Sequence, residues 1–141
     1  MHVLVTGASS GIGEAMARHW ASLGASLTIA ARREERLRAL AEDLDVEVFV
    51  RPTDLSDLEQ CEALVRESVE QLGPIDVLIN NAGIQYVEAA AGVSPERITR
   101  LMTVDLLAPL HLMHYVLQDM LERKQGAIAN IASVAGIVHT P

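Results

Sequence analysis

The sequence contains very few cysteine and aromatic residues. Of its 141 residues one is cysteine and four are aromatic. The single Cys61 excludes an internal disulfide and is typical of a protein from a reducing compartment. Because half of the residues are hydrophobic, a core is expected, and with so few aromatic side chains it must be built from alanine, valine, leucine and isoleucine.

Positive charge and long hydrophobic runs are also scarce. Eleven basic residues face 19 acidic ones, which gives a net charge of −8 and argues against a nucleic-acid backbone or an anionic membrane as partner. The most hydrophobic stretch, residues 101–117, is interrupted by Asp105 and Pro109, so it does not predict a membrane span. The first residues do not resemble a signal peptide, and we expect a cytoplasmic protein.

Short β-branched runs alternate along the chain with segments of helical periodicity. A long fourth helix is predicted over residues 95–124, with a kink at Pro109. Because strands alternate with helices, we expect an α/β fold, a doubly wound parallel sheet in a single domain over residues 1–141. The five predicted strands cover residues 3–5, 27–30, 46–50, 75–79 and 127–132.

Three glycines, at positions 7, 11 and 13, fall between the first strand and the first helix. In a doubly wound sheet this is where nucleotide phosphates meet a helix N-terminus. The spacing G-x-x-x-G-x-G is neither the G-x-G-x-x-G dinucleotide fingerprint nor a mononucleotide P-loop. On spacing alone, a glycine-rich turn without a ligand stays an alternative.

Three motifs together resemble the short-chain dehydrogenase/reductase family. They are TGASSGIG at residues 6–13, NNAG at 80–83 and GAIANIASVAG at 126–136, and their order and intervals match the family. The resemblance spans the whole chain and implies a Rossmann-like, dinucleotide-binding domain. It also implies an oxidoreductase that transfers hydride between a nicotinamide cofactor and a small carbonyl or alcohol substrate.

The resemblance implies a set of cofactor-binding residues in four segments of the chain. Asp54 also has a simpler interpretation, since TDLSD is an ordinary turn sequence. Asn80 is implied to link neighbouring strands rather than to bind the cofactor. The implied cofactor-binding residues outside the second strand are Gly7, Ser9, Ser10, Gly11, Ile12, Gly13, Asp54, Leu55, Asn81, Ala82, Gly83 and Val104.

The end of the second strand bears on the choice of dinucleotide. Ala31 stands where NAD-dependent members of the family carry an acid, and Arg32 and Arg33 follow it. Two cations without an acid favour the 2′-phosphate of NADP(H) over the free hydroxyl of NAD(H). Alternatively, the arginines belong to a solvated helix start that carries a Glu34–Arg38 pair.

Two residues are candidates for catalysis. Ser133 follows the fifth strand, and the resemblance implies that its hydroxyl orients and polarises the substrate carbonyl. A serine that only forms a turn is the alternative. Asp105 stands where the family has an active-site asparagine, whose main-chain carbonyl helps to hold a proton-relay water. A role of the backbone is compatible with this exchange, while the added charge could change the pKa values of the relay.

The tyrosine and lysine that complete the family's catalytic machinery are not present in the sequence. Four positions after Tyr86 stands Ala90, and four after Tyr115 stands Asp119. Only eight residues follow Ser133, fewer than the family's interval to its tyrosine, so we expect a chain truncated at its C-terminus. Two functions stay open: an oxidoreductase completed by further residues, and a non-catalytic dinucleotide-binding fragment or pseudoenzyme.

The predicted fourth helix bears on metals and partners. His111 and His114 have the spacing of metal ligands but lack a clear third partner, so we predict no metal site. Without the elements that follow in the family, one face of helix 95–124 would be open. Apolar open faces favour association, and we expect a homo-oligomer through this helix.

Overall fold

The protein has a parallel five-stranded sheet in the order β3-β2-β1-β4-β5. Its structure is a computed structural model that describes residues 1–133, apart from the side chain of Ala90. The predicted doubly wound α/β fold is confirmed, and the strands match the predicted ones to within two residues at each end. They are β1 (His2–Thr6), β2 (Ser26–Ala31), β3 (Val48–Pro52), β4 (Val77–Asn80) and β5 (Ala127–Asn130).

Five α-helices connect and cover the strands. They are α1 (Gly11–Ser22), α2 (Glu34–Glu42), α3 (Glu59–Leu72), α4 (Pro95–Met102) and α5 (Ala108–Arg123), and a short 3₁₀ turn covers Ala90–Gly92. Among the helices of residues 1–133, none is both long and apolar enough to cross a membrane.

The long helix predicted over residues 95–124 is interrupted before the position expected. A π-helical turn, Thr103–Leu107, separates α4 from α5, whereas the kink was predicted at Pro109. Proline has no N–H, so Pro109 cannot donate the α-helical hydrogen bond to the carbonyl of Asp105. Because the missing bond belongs to an acceptor four residues earlier, the irregularity lies in the turn that precedes the proline.

Both faces of the sheet are covered, and β1 shows how. Val3 and Val5 are fully buried on the face that carries α1 and α2, while Leu4 is fully buried against α3 and α5. Continuous apolar strands are what a parallel sheet between two helical layers requires. The same layer holds the buried thiol of Cys61, whose pKa burial raises to about 11.

The order of the strands determines where a ligand can bind. The chain runs outward from β1 through β2 to β3, then returns to place β4 on the other side of β1. The connections after β1 and β4 therefore leave in opposite directions and open a crevice at the carboxyl ends of these strands. Open α/β sheets bind ligands in such crevices.

The amino-terminal end of the central strand β1 holds a buried histidine. His2 is 3% exposed. Its Nδ1 lies 2.8 Å from the carbonyl oxygen of Gly73, and its Nε2 lies 2.9 Å from Oγ1 of Thr28. Its backbone N–H donates to Asp76 at 2.9 Å, and Asp76 is also paired with Arg123. Burial lowers the pKa of His2, because a charged imidazolium would lose its hydration there.

Stability is expected to fall as the pH drops below about 6.5, the ordinary pKa of histidine. Unfolded chains bind a proton on His2 at higher pH than folded ones, so its contribution is complete above that pH and is lost below it. We expect His2→Gln to flatten the dependence of the free energy of unfolding on pH between about 7 and 5. Urea unfolding across this range measures the effect. The exposed His19 supplies the control, and a His19→Gln variant that flattened the curve equally would contradict the assignment.

Candidate cofactor site

A cleft of about 350 Å³ opens at the carboxyl ends of the strands. Most residues predicted to bind a cofactor line it: Gly7, Ser9, Ser10, Ile12, Arg32, Arg33, Asp54, Leu55, Asn81, Ala82, Gly83 and Val104. Gly11 and Gly13 belong to the same turn without lining the cleft. The lining also includes residues that were not predicted to bind a cofactor, namely Ala30, Ala31, Thr53 and Ile84. Thr53 precedes Asp54 and Ile84 follows Gly83, so their positions next to predicted residues could have indicated them.

The glycines of the turn serve two different purposes. Gly7 and Gly11 have φ values of +69° and +60°, which side chains rarely adopt. A Cβ atom on Gly13 would lie only 2.4 Å from the carbonyl oxygen of Gly7 and 2.4 Å from Nδ2 of Asn81. A Cβ on Gly11 would meet open space. Gly13 is therefore required by close packing, and Gly11 by its backbone conformation.

Residues after β4 are fastened to the end of β1. Asn81 Nδ2 donates to the carbonyl of Thr6 at 2.9 Å, and Thr6 Oγ1 accepts the backbone N–H groups of Asn81 and Ala82 at 3.0 and 3.1 Å. Asn80 Nδ2 donates to Oδ1 of Asn130 at 2.8 Å, which links β4 to β5 as its implied structural role requires. These bonds hold one wall of the cleft against the glycine turn.

The start of α1 faces the cleft with groups that favour an anion. Ser10 occupies the N-cap position in an extended conformation, and its side chain makes no capping hydrogen bond within the described residues. The first N–H groups of a helix have no partner inside the helix, and the helix dipole adds partial positive charge there. A phosphate can bind at such a terminus.

Arg33 reaches from the end of β2 to this turn. Its Nη2 donates to Oγ of Ser9 at 2.9 Å and to Oγ of Ser10 at 2.8 Å. The neighbouring Arg32 is exposed and lines the same cleft. The two serine hydroxyls and the guanidinium form a polar group, defined here as the Arg33 cluster, beside the N-terminus of α1.

Asp54 combines both interpretations that the sequence allowed. Its Oδ1 accepts the backbone N–H and the hydroxyl of Ser56 at 3.0 and 2.8 Å, which is ordinary turn chemistry. The residue nevertheless lines the cleft. Burial opposes its ionisation, but the bonds from Ser56 and the charges of Arg100 and Arg32 outweigh burial and lower the pKa of Asp54. Asp54 thus places an ionised carboxylate in the cleft, near Arg32 and Arg100.

The candidate catalytic residues are not among those that line the cleft. Asp105 belongs to the π-helical turn, and its Oδ1 accepts the backbone N–H of Ile84 at 2.9 Å. Ser133 is exposed and follows β5 by three residues at the same edge of the sheet. Residues 134–136 of the GAIANIASVAG motif lie outside the described residues.

The histidines of α5 contact a tyrosine. The ring of His114 lies 5.4 Å from that of Tyr115, and the ring of His111 lies 6.3 Å from it, both in edge-on geometry. Across residues 1–133, no three His, Cys, Asp or Glu side chains are grouped so that they could hold a metal ion. Both histidines thus pack against the ring of Tyr115.

A family model described as short chain dehydrogenase matches residues 1–141. The chain belongs to the short-chain dehydrogenase family. Among curated relatives, human Dehydrogenase/reductase SDR family member 7 is 35% identical, over 100% of this chain and 44% of that protein. The chain thus spans less than half the length of this short-chain dehydrogenase relative. The predicted family is confirmed.

Solved structures of short-chain dehydrogenases have the same fold. A metagenomic short-chain oxidoreductase in complex with NADP is 36% identical, with a TM-score of 0.92 over 96% of this chain and 63% of that one. An alcohol dehydrogenase from the archaeon Thermococcus sibiricus, complexed with 5-hydroxy-NADP, is 32% identical, with a TM-score of 0.93 over 99% and 61% of the two chains. The cleft therefore belongs to a fold that binds nicotinamide dinucleotides in these two neighbours.

Proposed function

We propose that the full-length protein is an NADP(H)-dependent oxidoreductase that acts on a small carbonyl or alcohol substrate. The family supplies the reaction class. The residues of the cleft fit a dinucleotide, because the glycine turn leaves its backbone bare and the start of α1 offers unpaired N–H groups beside it. When bound, the nicotinamide supplies or accepts the hydride.

The observation that carries the preference for NADP(H) is the Arg33 cluster. In doubly wound sheets the adenosine ribose lies near the end of the second strand, where an arginine accommodates a 2′-phosphate. Arg33 leaves that strand and donates to two hydroxyls of the glycine turn. Ala31 offers no carboxylate to a free ribose hydroxyl, and its side chain cannot repel a phosphate.

Two residues of this chain are assigned to the substrate side. Ser133 lies at the carboxyl edge of the sheet, where its hydroxyl would donate to the substrate oxygen. Asp105 would contribute through its backbone, while its carboxylate holds the N–H of Ile84 and so orients the loop after β4. An acid/base group must complete the proton transfer.

The alternative is a binding module that holds the dinucleotide without catalysis. Titration of the full-length protein with NADPH and NADH, followed by turnover assays on a panel of aldehydes and ketones, separates the two. We expect tight NADPH binding and turnover. Binding without turnover would support the module, and failure to bind either dinucleotide would contradict both functions.

We also propose that a second copy of this chain covers an apolar stripe on α4, α5 and the π-helical turn between them. The stripe consists of residues at helical spacing that are 39–71% exposed: Ile98, Met102, Leu106, Leu110, Leu117 and Leu121. Exposed apolar surface of this kind often marks a site of protein–protein interaction. Sedimentation velocity on the full-length protein tests this proposal, and a monomer at all concentrations would contradict it.

A further inference from the structure

The rim of the cleft carries a third arginine that comes from a different part of the chain. Arg32 and Arg33 follow β2, whereas Arg100 lies on α4, one helical turn before the cleft residue Val104. Its guanidinium pairs with the cleft residue Asp54, so Arg100 lies beside the cleft. This positive cluster contrasts with the net charge of −8 of the whole chain.

Arg100 is paired with the carboxylate of the cleft. Its Nη2 lies 3.8 Å from Oδ2 of Asp54, and both side chains are partly exposed. The other oxygen, Oδ1, already accepts two hydrogen bonds from Ser56. Each oxygen of Asp54 therefore has a partner, and of Ser56 and Arg100 only Arg100 is charged. Arg32 adds a second positive charge that acts on the same carboxylate.

A carboxylate at this position is unfavourable for a doubly charged phosphate beside the Arg33 cluster. Asp54 and Arg33 line the same cleft, and charges act on one another over about a Debye length, which is about 8 Å at physiological ionic strength. Asp54 would oppose a 2′-phosphate and would have little effect on an uncharged 2′-hydroxyl. A cation paired with Asp54 removes this discrimination against NADP(H).

We propose that Arg100 is a specificity-determining residue, which favours NADP(H) over NAD(H) by neutralising Asp54 at the rim of the cleft. The inference rests on the proposed function and extends it to α4. Arg100 acts here through Asp54, so it is a positioning and electrostatic residue rather than a catalytic one. Its influence is moderate because the pair is partly exposed and screened by solvent.

The test compares dissociation constants of NADPH and NADH for full-length variants. Arg100→Gln is expected to weaken NADPH binding about 3- to 10-fold and NADH binding less than about twofold. Asp54→Asn keeps an acceptor for Ser56 and removes the charge. In that background Arg100→Gln should change NADPH binding by less than about twofold. Arg97→Gln is the matched control, because Arg97 lies on the same helix and pairs instead with Glu88.

The outcomes separate this inference from the function beneath it. An equal loss for both dinucleotides, or a loss that persists beside Asp54→Asn, would overturn the role of Arg100 and leave the proposed function intact. A wild-type protein that binds neither dinucleotide would overturn both. Circular dichroism and thermal melting of each variant identify a loss that comes from misfolding.

Discussion

Replacing Arg33 with alanine is expected to weaken NADPH binding about 10- to 100-fold while NADH binding changes less than about threefold. The guanidinium lies within hydrogen-bond distance of Ser9 and Ser10, at the place where a 2′-phosphate would add a charge-assisted bond. NADH has no phosphate there and loses little. Fluorescence titration of the full-length protein with both dinucleotides measures the two dissociation constants.

Arg38→Ala provides the control for Arg33→Ala. Arg38 is exposed on α2 and paired with Glu34 at 2.6 Å, so its removal takes away the same charge at a greater distance from the glycine turn. Arg32→Asp should also lower the preference for NADPH, since Arg32 lines the cleft. An unchanged ratio of the two affinities in both Arg33→Ala and Arg32→Asp would rule out the assignment of NADP(H).

Gly13→Ala is expected to lower the free energy of unfolding by about 3 kcal/mol or more. The new methyl group would lie 2.4 Å from the backbone oxygen of Gly7 and 2.4 Å from the amide of Asn81. Backbone cannot move aside as a flexible side chain does, so α1 must shift away from β1. Urea denaturation followed by circular dichroism measures the loss.

Gly11→Ala separates packing from backbone conformation in the same turn. A Cβ there meets open space, and only the φ of +60° opposes it, so the expected loss is about 1 to 2 kcal/mol. The order of the two variants is the decisive result. If Gly11→Ala proved as destabilising as Gly13→Ala, the close approach of α1 to the end of β1 would not be the reason for Gly13.

Much of the fold follows from local sequence patterns. Short apolar runs such as residues 3–5 and 27–30 identify buried strands without knowledge of their partners, because a strand covered on both faces is apolar throughout. The glycine spacing and the NNAG motif locate the turn and the loop that form the cleft. Alternation of strands and helices then predicts that both lie at one edge of the sheet.

The contacts that tune the site depend on residues far apart in sequence. Nothing local in TDLSD indicates that Arg100, 46 positions later, pairs with Asp54. Asn81 was implied to bind the cofactor, yet its side-chain amide also donates to the backbone of Thr6. Pro109 indicates an interruption, but the hydrogen bond that it cannot donate would end at the carbonyl of Asp105, so the π-helical turn precedes the proline.

The bond between Asn81 and the end of β1 has a consequence for protein synthesis. The two partners, Thr6 and Asn81, are separated by 75 residues, and closing so long a loop is entropically costly until β4 is paired. On the ribosome, the glycine turn therefore emerges early but gains its supporting wall only after residue 82 has left the exit tunnel. Nascent chains in which residue 82 is still inside the tunnel lack this wall, so the cleft is complete only after the central strands have paired.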